Sequence, residues 1–139
     1  MSIRFKRAYE KPAPSDGYRI LVERLWPRGL SKQATRFDLW AKDVAPSTSL
    51  RKWFNHDPEK WEEFKVRYFA ELDARPDVVA RIKGLLRQSR VTFVLASKEA
   101  RLNSAAALKE YLEQLGRQKS EGQGHRTRIS SAERVKVAR

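Results

Sequence analysis

The chain has 139 residues, of which 40% are hydrophobic and 10% aromatic, about one domain's length with enough apolar surface for a core and too much for wholesale disorder. It contains no cysteine, which excludes disulfide scaffolds, cysteine zinc sites, iron–sulfur clusters and thiol catalysis, and no apolar run approaches the ~20 residues that span a bilayer. Thirty Lys and Arg against 17 Asp and Glu leave a net charge of +13, which points to an anionic partner, against the plainer reading that the charge only maintains solubility.

In chain order, Ile3-Arg-Phe-Lys-Arg-Ala-Tyr9 alternates apolar and basic residues. That is a half-buried strand pattern with Ile3 and Phe5 on one face. The charges of the opening segment have no apolar stretch behind them, so no secretory signal is expected. Lys11 to Gly17 holds two prolines, Ser15 and Asp16 and reads as a loop. Tyr18-Arg-Ile-Leu-Val-Glu-Arg-Leu-Trp26 is apolar at its centre and reads as a central strand, ended by Pro27, which cannot donate to a ladder. Pro27-Arg28-Gly29 reads as a turn and residues 32–36 as a short helix. Phe37 to Ala45 fits strand or helix equally.

From Pro46 the period becomes helical. Ser47 caps a short helix through Phe54 or Asn55. Asp57-Pro58-Glu59 combines a capping carboxylate, a first-turn proline and an acid near the positive helix end. Trp61, Phe64, Tyr68 and Leu72 follow at helical spacing. Arg75-Pro76-Asp77 restarts a helix that buries Val78, Val79, Ile82, Leu85 and Leu86. Val91-Thr-Phe-Val-Leu-Ala96 is the short apolar, β-branched run of a strand covered on both faces. Ser97 to Leu102 is a polar loop. Asn103 or Ser104 caps a last helix with Ala105, Leu108, Leu112 and Leu115 facing in, and Gly116 marks its stop.

The expected fold is a small single α/β domain over residues 1–116, a mostly parallel sheet with helices packed on it. A long crossover between Trp26 and Val91 makes the two central strands parallel. Residues 117–139 are rich in Gln, Ser, Gly, Arg and Lys without periodicity and read as a disordered basic tail. Charge follows these boundaries: net +7 in residues 1–56, +1 in 57–116 and +5 in 117–139. Nine of the 14 aromatics fall in residues 26–69; most belong to the core.

Open α/β sheets bind ligands beyond the carboxyl ends of their strands. If Ile20 and Val22 share a strand face, period two places Arg24 and Trp26 there too, with Arg28 in the turn that follows. At the second strand end stand Ser97, Lys98 and Asn103, the last opening a helix whose N-terminus favours anions. Guanidiniums beside such a terminus suit phosphate or carboxylate, Arg51 is a further candidate, and Trp26 and Trp53 offer packing faces. The competing structural reading pairs Arg24 and Arg28 with Glu23, Asp38 or Asp43 and sends Trp26 and Trp40 to the core. His56 and Asp38 are candidates for acid/base work, although Asp57-Pro58 already explains the His56 corner as a helix start. Two histidines and no cysteine argue against a metal site. No Gly-rich phosphate loop, dinucleotide fingerprint or nucleophile elbow is present, so no cofactor is expected.

Arg24-Leu-Trp-Pro-Arg-Gly-Leu-Ser-Lys32 resembles the signature of the YeaO-like branch of the domain-of-unknown-function 488 family. Asp38-Leu-Trp-Ala-Lys42, Ala45-Pro-Ser-Thr48, Leu50-Arg-Lys-Trp-Phe54 and His56-Asp-Pro-Glu-Lys-Trp61 agree with it in order and spacing. The resemblance runs from about Ile3 to Leu115. It implies a small cytoplasmic α/β domain and no established activity. Relatives in that family commonly carry histidines on either side of an asparagine after the last strand. Here that asparagine is Asn103, flanked by Leu102 and Ser104, so any acid/base role of those histidines is absent from this chain.

Three functions are therefore in play. The first is binding of an anionic small molecule or nucleotide by Arg24, Trp26, Arg28, Arg51, Trp53, Ser97 and Asn103. The second is a hydrolase or transferase on a phosphorylated or carboxylated substrate. The third is sequence-independent nucleic-acid binding through the basic face and tail, which lacks a recognised motif. No membrane partner is expected.

Overall fold

The structure, a computed structural model, describes residues 3–98 and 101–125, with side chains as far as Gly116. The elements in order are β1 (Ile3–Arg7), β2 (Tyr18–Leu21), α1 (Lys32–Thr35), β3 (Leu39–Trp40), α2 (Thr48–Phe54), α3 (Trp61–Asp73), α4 (Pro76–Gln88), β4 (Val91–Leu95) and α5 (Ser104–His125). The chain divides into two units, residues 1–109 and 110–139, and α5 begins in the first. The four strands form one sheet in the order β1-β4-β2-β3, every neighbouring pair parallel. The expected α/β fold with its parallel central strands is therefore present. No helix among the described residues is long and apolar enough to cross a membrane.

β4 is central because its residues need no contact with water. All five are buried, and its one polar side chain, Thr92, donates from Oγ1 to the Asp16 carbonyl at 2.7 Å. The register aligns Phe5, Phe93 and Ile20 in one row and Lys6, Val94 and Leu21 in the next. Alternation then sends the two rows to opposite faces of the sheet. On the first face Phe5 stacks on Phe93 at 6.5 Å. Phe5 is nevertheless 40% exposed, while Ile3, expected on the same face, is buried.

The helical layer is joined by aromatics at the predicted spacing. Phe64 stacks on Phe54 at 4.4 Å and on Trp61 at 5.6 Å, and lies 5.7 Å from Tyr68. The Tyr68 hydroxyl donates to the Val44 carbonyl, and burial drives that phenol far above its ordinary range. Ser47 caps α2 as read, accepting from Leu50 N–H at 3.2 Å, and is held in turn by Glu71, which accepts from its hydroxyl at 2.6 Å. Asp57 caps a 3-10 turn over Pro58–Lys60 that leads directly into α3. The ambiguous stretch from Phe37 is both things in succession, β3 and then a 3-10 turn at Lys42–Val44.

The second face carries a charged network beside an apolar cluster. Asp16 is buried and its carboxylate accepts from Lys6 Nζ at 3.1 Å, Arg19 Nη1 at 2.6 Å and Ala13 N–H at 3.0 Å. Burial alone would raise this carboxyl, but the Ala13 amide and the two cations outweigh it and hold it below its usual range. Arg19, also buried, directs Nε and Nη2 to the Thr35 carbonyl and lies 5.5 Å from the Phe37 ring. Ala8, Leu21 and Val94 form the apolar part, and Trp26, Leu30 and Phe37 pack against it.

Two boundaries differ from expectation. β2 ends at Leu21 rather than Trp26. Val22 N–H still reaches the Val94 carbonyl at 3.1 Å, but Glu23 then turns its carboxylate onto Ala96 N–H at 2.7 Å, and the chain leaves the sheet. The last helix does not stop at Gly116 but runs on to His125. Gly116 is not among the residues with positive φ, so it sits in the helix and does not form the left-handed cap that would end it. The remainder of the expected tail lies outside the described residues.

Candidate functional site

Because the strands are parallel, their carboxyl ends share one edge of the sheet. A cleft of about 240 Å³ opens there, between the ends of β1 and β4 and the start of α5, lined by Phe5, Lys6, Arg7, Glu10, Leu95, Ser97, Lys98 and Asn103. Each lining group has a positional cause. Arg7 and Leu95 are register partners at the last rung of the β1–β4 ladder. Ser97 and Lys98 are the residues that follow. Asn103 is buried and caps α5, its Oδ1 accepting from Ala106 N–H at 2.8 Å. Glu10 closes a tight turn, accepting from Arg7 N–H at 2.9 Å while its own N–H donates to the Arg7 carbonyl at 3.0 Å.

Electrostatically the cleft is basic. Lys6 shares the Asp16 carboxylate with Arg19, so its charge is partly compensated. Arg7 is different. Its Nε is buried with no hydrogen-bond partner among the described residues, and its guanidinium carbon lies 5.6 Å from the Tyr9 ring centroid. A buried guanidinium donor without an acceptor is costly. Lys98 is exposed at the rim. The start of α5 adds the positive potential of a helix N-terminus.

Of the residues singled out from sequence, Ser97 and Asn103 meet in this cleft. Arg24 and Trp26 do not lie on the Ile20–Val22 strand face, because β2 has ended before them. Arg24 donates from Nε to the Pro46 carbonyl at 3.2 Å and from Nη2 to the Ala45 carbonyl at 3.0 Å. It ties the loop after β2 to the start of α2, through carbonyls and not through the acids expected. Trp26 packs on the opposite face, that of Leu21, with its ring edge-on to Phe37 at 5.3 Å and to Trp40 at 5.5 Å. Its Nε1 donates to the Leu30 carbonyl at 2.7 Å. Arg28 is exposed, and its carbonyl accepts from the Tyr9 hydroxyl at 3.1 Å.

The other candidates stand on separate elements. Arg51 is exposed on α2, where Trp53 lies under two cations, Arg67 at 4.4 Å and Lys60 at 5.0 Å. His56 is exposed in a left-handed corner with φ 57°. Its ring sits 6.4 Å from Phe54, and no hydrogen bond joins it to another described residue. The Asp38 carboxylate accepts from Arg19 N–H at 2.8 Å, closing the edge of β2. No group of three or more His, Asp or Glu able to hold a metal occurs among the described residues.

Sequence reasoning missed Arg7, Lys6, Glu10, Phe5 and Leu95. It considered the ends of the two central strands only. The signal for Arg7 was available: a basic residue ending a strand pattern, which reaches the same edge once β1 pairs in parallel with β4.

Comparison with known proteins now adds what geometry does not. Residues 2–132 match the family profile described as "Inactive DUF488-N3 subclade". An uncharacterized protein of Mycobacterium tuberculosis, Rv3073c, is 42% identical over 110 residues, covering 79% of this chain and 92% of the relative. The uncharacterized protein YeaO of Escherichia coli is 37% identical over 115 residues, covering 83% of this chain and all of the relative. No solved structure matches significantly.

Proposed function

The chain belongs to the DUF488 family, and we propose that this member binds a small phosphate- or carboxylate-bearing ligand in the cleft at the ends of β1 and β4. The observation that carries the reading is the buried, unpartnered Arg7 Nε. That nitrogen is closed to solvent, so an anion would supply the missing acceptor as the guanidinium turns into the cleft, where the Arg fork suits a phosphate or carboxylate oxygen pair. Lys98 adds charge at the rim, Ser97 a hydroxyl donor, and Asn103 fixes the start of α5. Leu95 and the edge of Phe5 offer apolar contact to the body of the ligand. The proposal includes a cytoplasmic setting, as the family resemblance implies.

Binding without turnover is favoured over hydrolysis or transfer. The word "inactive" in the description of the matching subclade supports this. So does the placement of the acid/base candidates, since neither His56 nor Asp38 lines the cleft.

The test is thermal unfolding of the full chain with inorganic phosphate, sugar phosphates, mononucleotides and small carboxylates. A ligand at a hundred times its Kd stabilises the native state by about 2.7 kcal/mol. Arg7→Gln should abolish the rise in Tm. If no anion raises the Tm of the unaltered chain, or if Arg7→Gln keeps the full effect, the reading fails.

A further inference from the structure

A second basic surface lies apart from the cleft. The segment from Arg24 to Lys42 covers the second face of the sheet, anchored by Trp26 and Phe37 on Leu21 and Val94. On it Arg28, Lys32, Arg36 and Lys42 are all exposed. Among the described residues none of the four side chains forms an ion pair or hydrogen bond; Lys42 only lies over the Trp40 ring, at 5.1 Å. The nearby acids offset them only in part: over residues 23–43, Glu23, Asp38 and Asp43 stand against Arg24, Arg28, Lys32, Arg36 and Lys42.

The helical layer compensates part of its charge, Arg67 pairing with Glu63 at 2.8 Å and Lys65 with Glu62 at 3.4 Å, while Lys52, Arg81 and Arg87 are exposed there. Residues 1–56 carry net +7 and residues 57–116 net +1. Aromatic and apolar groups are interleaved with the free cations. Tyr9 is 48% exposed, Trp40 37% and Leu25 71%, and Tyr9 is tied to the segment through its bond to the Arg28 carbonyl.

We infer that this surface binds the phosphodiester backbone of single-stranded nucleic acid. Uncompensated cations release counterions from a polyphosphate chain, and exposed aromatic groups accept unstacked bases. A duplex hides its bases and satisfies only the charge half of the surface. The four cations lie outside the Arg7 cleft and the variants that test them leave Arg7 unaltered, so the two readings are tested separately.

The experiment uses the full chain, so that the basic residues 117–139 contribute equally to every sample. Fluorescence anisotropy would follow labelled oligothymidylate, oligouridylate and a duplex of the same length over a range of salt. One variant combines Arg28→Gln, Lys32→Gln, Arg36→Gln and Lys42→Gln. A control removes the same charge from the helical layer through Lys52→Gln, Arg67→Gln, Arg81→Gln and Arg87→Gln. All eight side chains are exposed, and the Tm of each variant checks the fold. The segment variant should bind single strands about tenfold more weakly or worse, and its slope of log affinity against log salt should flatten by about 2 to 3 units. The control should lose far less, and the unaltered chain should prefer either single strand to the duplex. An equal loss in the control overturns the inference, since net charge alone would then explain binding. Failure of the unaltered chain to bind any oligonucleotide overturns it too, as does equal affinity for the duplex.

Discussion

Arg24→Ala should cost the protein stability and leave anion binding in the cleft intact. The guanidinium makes two hydrogen bonds to carbonyls, at 3.2 Å to Pro46 and 3.0 Å to Ala45, and both acceptor residues are buried. A hydrogen bond from a charged donor contributes about 1.5–3 kcal/mol, and an abandoned buried acceptor costs about 1–3 kcal/mol. The two bonds share one side chain, so their losses overlap, and ~3 kcal/mol is the expected total. For a chain of this size that is a fall in Tm of about 10 °C. Arg24→Lys, with a single ammonium in place of the fork, should recover roughly half of it. Calorimetry or circular dichroism melts would measure the fall, and a phosphate titration of the same variant would test the cleft. A Tm within ~2 °C of the unaltered chain, together with lost anion binding, would refute the stapling role and return Arg24 to the ligand site.

The remaining predictions concern the turn that leads into β2. Asp16→Asn leaves Lys6 and Arg19 without their shared counter-charge and should destabilise by about 3 kcal/mol or more, measured by urea unfolding at neutral pH. Because the folded Asp16 carboxyl is held below its unfolded value, its contribution is complete above about pH 4 and is lost as pH falls through the folded value. The asparagine variant should lack that part of the acid-induced loss; an unchanged acid profile would contradict the network. Gly17→Ala should cost at least ~2 kcal/mol, since φ is 67° and an added Cβ would meet the Arg90 carbonyl. A neutral effect there would mean that the β2 start can shift, which the Tyr18 N–H bond to the same carbonyl at 2.8 Å argues against.

Local signals were legible in the sequence wherever one physical demand acted alone. Ser47, Asp57 and Asn103 cap helical turns because a short side-chain acceptor is needed at a free amide; the first two were read from position, and the structure chooses Asn103 over Ser104. The five buried residues of β4 follow from a run that has no polar side to show water. Trp26 was misplaced because period two is valid only while the strand lasts, and two partners decide where β2 stops. Glu23 reaches Ala96, and Trp40 Nε1 donates to the Glu23 carbonyl at 2.7 Å. Both partners are remote in sequence. Arg7 was hidden for a related reason. Its strand pattern was clear, but its site role depends on β1 lying beside β4, a pairing across 88 positions (Ile3 with Val91) that no local pattern encodes.

The same geometry favours binding over catalysis in the proposed cleft. General acid–base chemistry needs a proton carrier within hydrogen-bond reach of the reacting atom. Of the carboxylates in the first 56 residues, Asp16 is bound by Lys6, Arg19 and Ala13, Glu23 by the amide of Ala96, Asp38 by the amide of Arg19 and Glu10 by the amide of Arg7, while Asp43 is exposed outside the cleft. Only Glu10 lines the cleft, and releasing it to move a proton would open the turn that positions Arg7. Asn103 has its Oδ1 engaged as a cap, and its neighbours Leu102 and Ser104 supply no imidazole. The acids and amides at this edge of the sheet therefore build the walls, while Arg7 Nε has no acceptor among the described residues, which favours the proposed holding of an anion over proton exchange with it.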